Sequence, residues 1–121
     1  MIKILKDKPI KKQENPLKQI SKEEFLKTLP IKFQKNIKIV VDYLHSVGVT
    51  DIYLFGSLYE GDYNDNSDID IAVYDLDPTM YYKVSATINY SFRIECDIID
   101  LNDDCSITRF LKKYEEWIKI G

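Results

Sequence analysis

Little in this sequence suits metal–thiolate, redox or membrane chemistry. It holds one histidine, His45, and two cysteines, Cys96 and Cys105, and these match no metal-ligand or Cys-x-x-Cys spacing. Both cysteines therefore read as thiols of a reducing compartment. No apolar run approaches the roughly 20 residues of a membrane span. Met1–Lys8 also lacks the apolar stretch and small-residue cleavage site of a signal peptide, so cytoplasm is the expected location. Internal repeats and low-complexity tracts are missing too. The most informative absence is of positive charge: no Lys or Arg lies between Asp51 and Tyr82, a stretch that carries eight acidic residues.

What is present reads as a single domain. The 121 residues suffice to bury about two-thirds of the surface that the unfolded chain exposes, and the charged content is too low to predict disorder. Charge is unevenly placed. Residues 1–38 hold eleven Lys against four acids, a balance of +7, and residues 39–121 hold six basic against sixteen acidic residues, a balance of −10. Residues 1–30 are expected to form a basic N-terminal arm with a short helix, and 31–121 the folded domain. The arm has no aromatic residue before Phe25. A nucleic-acid partner is therefore not expected, and the arm reads as a solvated extension or as a contact for an acidic partner.

The order of elements follows from periodicity and punctuation. Ser21 with Glu24 is a capping box opening a short helix that Pro30 ends. Ile37, Val40, Val41 and Leu44 mark a helix over 31–47, stopped by Gly48. Asp51–Phe55 reads as a strand running into a Gly56-Ser57 turn, and Asp62–Ser67 as a second turn. A strand over 68–74, a helix over 78–88 capped by Asp77 with Pro78 at its first position, and a strand over 92–101 follow. Ile107, Phe110, Leu111 and Tyr114 mark a terminal helix, with a short strand at 117–120. The expected class is α/β (α+β): a small mixed β-sheet with helices packed on it, because the 61–68 connection is short enough for a hairpin.

The chemistry concentrates at Gly56-Ser57 and at Asp68-Ile69-Asp70. Alternation along a strand puts Asp68 and Asp70 on one face, roughly 6.7 Å apart. Their repulsion is roughly 2.5 kcal/mol at an effective dielectric of about 20. A structural strand gains nothing from that arrangement, and with no base nearby the natural counter-charge is a divalent cation. A Gly-Ser turn lets a phosphate approach the backbone, and the Ser hydroxyl adds a donor. Phosphates beside a metal make a nucleotide site.

Gly56-Ser57, ten intervening residues and Asp68-x-Asp70 resemble the signature of the DNA polymerase beta-like nucleotidyltransferases, and within them the minimal nucleotidyltransferase (MNT) domain. Gly61 falls where the family commonly has a second glycine. The setting Cys96-Asp97-Ile98 fits its third carboxylate. The resemblance covers roughly residues 35–121. It implies the polymerase beta-like fold, catalytic and metal roles for Asp68, Asp70 and Asp97 with two Mg²⁺ ions, and nucleotide binding by Gly56, Ser57, Asp68 and Asp70. It implies ATP as nucleotide substrate and transfer of AMP to a hydroxyl. Small stand-alone MNT domains often serve as antitoxins that AMPylate a tyrosine of a HEPN-type toxin, which makes such a protein the expected partner, alongside a possible homo-oligomer. A small-molecule or nucleic-acid nucleotidyltransferase, and a catalytically silent binding module, are the alternatives. Many relatives carry Arg shortly after Gly-Ser, where this chain has Leu58-Tyr59-Glu60. Among the remaining residues, Arg93 reads as an ion-pair partner of Glu95 or Asp97, and Asp100 as a turn residue. Tyr53, Tyr59 and Tyr63 lie close to the site in sequence.

Overall fold

The computed structural model describes residues 20–121; the basic stretch 1–19 lies outside the described residues. Helix α1 (Lys22–Lys27) opens on the expected capping box. The Ser21 hydroxyl accepts from the Glu24 amide at 3.1 Å, and the Glu24 carboxylate accepts from the Ser21 amide at 3.1 Å, satisfying amides that no helical carbonyl reaches. Helix α2 (Ile31–Ser46) buries Phe33, Ile37, Val40 and Leu44, one stripe at the helical period. It ends at Gly48, whose left-handed φ of +95° suits a residue without Cβ.

Strands β1 (Ile52–Phe55), β2 (Ile69–Val73), β3 (Cys96–Asp100) and β4 (Ile118–Lys119) form one mixed sheet in the order β3-β2-β1-β4. β1 runs antiparallel to β2 and to β4, while β2 and β3 are parallel. Between β1 and β2 the chain makes helix α3 (Gly56–Glu60) and then the polar turn. That turn is tied to α2 by the Lys32 ammonium, which donates to the Asp65 carbonyl. Between β2 and β3 lie a 3₁₀ turn (Pro78–Met80), helix α4 (Tyr81–Ala86) and a π turn (Thr87–Ser91), nearly continuous. Asp77 caps this segment by accepting from the Thr79 amide at 2.9 Å. Helix α5 (Ser106–Tyr114) follows β3.

Strand alternation sorts the side chains onto two faces. Ile52, Leu54, Ile69, Ile71, Val73 and Ile98 join the main core with α1, α2 and α4, and Phe25 and Leu29 belong to it as well. The opposite face carries Ala72 and Leu101, packed against Phe110 and Leu111 of α5, with Tyr53, Phe55, Ile99 and Trp117 half-buried around them. Asp70 and Asp97 lie on this second face by the same alternation.

Two sequence expectations are revised. Gly56-Ser57 opens a helical turn instead of a simple loop, since Leu58 and Tyr59 bury their side chains at helical spacing. The third strand starts at Cys96, not at residue 92. Phe92 instead closes the π turn and packs edge-on against Tyr43, ring centroids 5.3 Å apart, and Arg93 takes a left-handed φ of +57° that breaks any strand there. Cys96 is buried, as its apolar flanks predict, while Cys105 is exposed.

The outer edge of β3 is closed by side chains. The Asn89 carboxamide donates to the Cys96 carbonyl at 3.1 Å and accepts from the Cys96 amide at 3.2 Å, the pair of bonds a neighbouring strand would make. The Tyr81 hydroxyl donates to the Ile98 carbonyl at 2.6 Å. An edge so occupied resists pairing with another chain.

Candidate active site

Backbone register builds the site. Phe55, the last residue of β1, pairs with Asp70 on β2, and Asp70 pairs with Asp97 on β3. Paired residues on adjacent strands project to the same face, so Asp70 and Asp97 are direct neighbours. Asp68 lies one residue before β2 and is exposed.

The chain leaves β1 through Gly56 at φ +73° and enters α3. An ideal Cβ on Gly56 would collide with the Asp70 carboxylate and lie 3.0 Å from its Cγ. The glycine is thus required twice, by its left-handed backbone and by the close approach of Asp70. Ser57, one residue on, is half-buried. It lines a cleft of about 230 Å³ with Phe55, Glu60, Asp62 and Glu116.

Electrostatics show which groups crowd together. Asp70 is pushed up to about 6, first by partial burial, then by Asp97, Asp68 and Glu60. Cys96 is pushed up to about 12 by burial, then by Asp97, Asp70 and Asp68. Asp68, Asp70 and Asp97 therefore share one field. Among the described residues no Lys or Arg forms an ion pair with any of them; the basic groups pair elsewhere, as Arg109 does with Asp104 and Lys119 with Asp51. Repulsion among hard oxygen donors with no counter-ion among the described residues is of the kind a divalent cation relieves. Among the described residues no three His, Cys, Asp or Glu side chains form a ready-made metal-holding group, so the convergence is one of register and field and not of a closed cage.

Other candidates fall away from this centre. His45 is exposed on α2. Asp100 accepts from the Asn102 amide at 2.9 Å, as a turn residue does. Arg93 makes no ion pair among the described residues and lines a small cleft with Lys32, Asp65 and Glu95. Tyr59 is buried, and Tyr63 packs on Phe33 with ring centroids 5.8 Å apart. Tyr53 stacks on Trp117 at 4.2 Å. Sequence reading missed two acids, Glu60 and the buried Glu116, which share the Ser57 cleft. Glu60 was discoverable, since a helical reading of 56–60 places it one turn from Ser57. Glu116 reaches the cleft only through the placement of α5, and nothing local marks it.

A family model described as polymerase beta, nucleotidyltransferase, matches residues 34–116. No curated protein matches the sequence. Among solved structures, a chain of a toxin–antitoxin complex with AMP-PNP is similar, with 26% identity and a TM-score of 0.52 over 70% of this chain and 69% of that one. A chain of a variant of the toxin–antitoxin pair MntA-HpeT has 25% identity and a TM-score of 0.53 over 69% and 70%. The fold is also shared with a chain of the tri-AMPylated Shewanella oneidensis HEPN toxin in complex with MNT antitoxin, at 22% identity and a TM-score of 0.51 over 71% and 69%. Among the described residues no helix is long and apolar enough to cross a membrane.

Proposed function

The chain belongs to the polymerase beta nucleotidyltransferase family, and from that premise we propose that it is an antitoxin-type enzyme that transfers AMP from ATP to a tyrosine hydroxyl of a HEPN-type toxin. The observation that carries the reading is the row Gly56, Asp70, Asp97: a glycine held open against one carboxylate, with a second beside it on the next strand. The toxin–antitoxin complex with AMP-PNP, similar over 70% of this chain, supports both the nucleotide and the kind of partner.

Asp68 and Asp70 would hold two Mg²⁺ ions, with Asp97 completing one of the sites. Held there, such ions would supply neutralisation of charge on the phosphate oxygens. The Ser57 hydroxyl and the neighbouring backbone hold the triphosphate. Asp97 accepts the proton of the attacking tyrosine hydroxyl as its oxygen bonds to the α-phosphorus. The bond from the α-phosphorus to the oxygen bridging it to the β-phosphate breaks, and pyrophosphate leaves. Positioning and charge neutralisation supply most of the catalysis in such a transfer.

The stretch Leu58-Tyr59-Glu60 favours a second reading, a nucleotide-binding module without turnover. It offers no Arg, and Leu58 and Tyr59 are committed to the core. Incubation with α-labelled ATP and Mg²⁺, with and without the product of the neighbouring gene, decides between them. Label on a partner tyrosine is expected. Binding of ATP with no label on any acceptor would establish the silent module.

A further inference from the structure

We propose that the cleft beside the outer edge of β3 is the acceptor-docking groove, and that it is built for a protein segment presenting an aromatic side chain flanked by Lys or Arg. This rests on the adenylyl-transfer reading and adds what the acceptor must look like. The cleft encloses about 410 Å³, room for an aromatic side chain and part of its backbone. Leu76, Tyr81 and Ile99 give it apolar walls, and Asp100 and Asp103 add acid. Tyr82, on the same cleft, is 83% exposed, an aromatic surface that packs edge-on against Tyr81 with ring centroids 5.5 Å apart and is otherwise open among the described residues. Tyrosines so placed are favoured contact residues at protein interfaces.

Charge selects the occupant. Among the described residues no Lys or Arg forms an ion pair with Asp97, Asp100 or Asp103, whereas the adjacent Asp104 is neutralised by Arg109 at 2.7 Å. A cleft walled by unneutralised acids attracts cationic segments and rejects anionic ones.

Position ties the groove to the chemistry. Ile98 and Ile99 of the cleft directly follow Asp97. The Tyr81 phenol is pushed up by burial and then by Asp97, with smaller contributions that include Asp100 and Asp103, so the same wall feels the candidate proton acceptor and the groove's acids. The Ser57 cleft begins from β1, on the other side of β2. The two clefts thus flank the strand that carries Asp70. Strand addition is not the binding mode, because Asn89 and Tyr81 already occupy the edge of β3.

The groove contains its own reporter. Cys105 lines it and is exposed, while Cys96 is buried, and hydrogen bonding to Thr108 holds the Cys105 thiol below its usual range. The probes are two synthetic pentapeptides, Lys-Lys-Tyr-Lys-Lys and Glu-Glu-Tyr-Glu-Glu, added to the full chain during maleimide labelling at low salt. The Lys peptide is expected to slow Cys105 modification by at least about fivefold, in keeping with exposed charge pairs worth up to about 1 kcal/mol each, and the Glu peptide to leave it unchanged. Asp103→Lys, at an exposed loop position, should remove or invert that ranking. Equal protection by both peptides, protection by neither, or an unchanged ranking in Asp103→Lys overturns the groove. Label transfer from ATP is scored separately. Transfer to the gene-neighbour partner without Lys-peptide protection sinks the groove alone, whereas protection with no transfer to any acceptor leaves the groove standing and removes the adenylyl-transfer reading.

Discussion

The carboxylate of Asp70 fills the space that a side chain on Gly56 would need. Residues 56 and 70 face each other because Phe55 pairs with Asp70 across β1 and β2. The chain then turns at Gly56 instead of continuing alongside β2. One contact joins the turn that begins the Ser57 cleft to the carboxylate at the centre of the candidate site.

Gly56→Ala should therefore destabilise the fold by about 1–3 kcal/mol, the usual cost of holding a non-glycine residue in a left-handed conformation, with the clash added. Chemical denaturation measures the loss. Asp70→Ala in the Gly56→Ala background should recover the steric part and leave the backbone part. The two changes must then be less costly together than their separate effects summed. Strict additivity would show that the contact is not made.

Asp70 also fixes the pH dependence of the metal-free protein. Its folded-state value of about 6 exceeds the ordinary 3.8, so the folded form binds the proton more tightly than the unfolded form. The resulting stabilisation is complete below about pH 4 and is lost as pH rises through about 6. Asp70→Asn removes both the titration and the repulsion. The variant should melt several degrees higher than the parent at pH 7 without metal, converge with it near pH 4, and lose the stabilisation that Mg²⁺ gives the parent. Thermal melts at the two pH values, with and without Mg²⁺, test each part. A variant that kept the full Mg²⁺ response would place the cation elsewhere.

The candidate site is legible where its parts are local: Gly56-Ser57 and Asp68-x-Asp70 lie within one antiparallel pair, where a period of two and a turn fix relative position. Asp97 comes beside Asp70 only through the register of a parallel pair, which no short-range signal sets, and the family resemblance, not periodicity, points to it. The helix over 56–60 was missed because five residues are too few to show a period. Phe92 and Arg93 were read as strand because Phe92, Ile94 and Cys96 alternate. The left-handed backbone at Arg93 and the packing of Phe92 on Tyr43 override that pattern. The Asn89 and Tyr81 caps depend on the path of the π turn and α4, and single-residue propensities do not encode that path.

Those caps can be tested directly. Asn89 holds three backbone groups, donating to the Ser85 and Cys96 carbonyls and accepting from the Cys96 amide. Asn89→Ala should cost about 1–3 kcal/mol by leaving part-buried partners unsatisfied, and Tyr81→Phe about 1 kcal/mol. Exposing the edge of β3 should also promote self-association of the Asn89 variant, which light scattering against concentration would reveal. A monodisperse, fully stable Asn89→Ala protein would mean that water replaces the carboxamide at no loss.

The basic N-terminal residues bear on partner capture. Positions 1–19 hold six Lys against Asp7 and Glu14 and contain no aromatic residue, so this stretch offers no tyrosine acceptor and no ring to stack on a base. Its available contribution is charge. Deleting residues 1–19 should weaken binding of the toxin-type partner while leaving Mg²⁺-ATP affinity unchanged, because the carboxylates and Ser57 all lie beyond residue 55. The difference between full-length and truncated chains should shrink as salt rises, since exposed charges are screened beyond roughly 8 Å at physiological ionic strength. Titrating nucleotide and partner separately against the truncated chain checks both halves. A fall in nucleotide affinity would instead assign these lysines to the triphosphate, supplying the positive charge that Leu58-Tyr59-Glu60 does not.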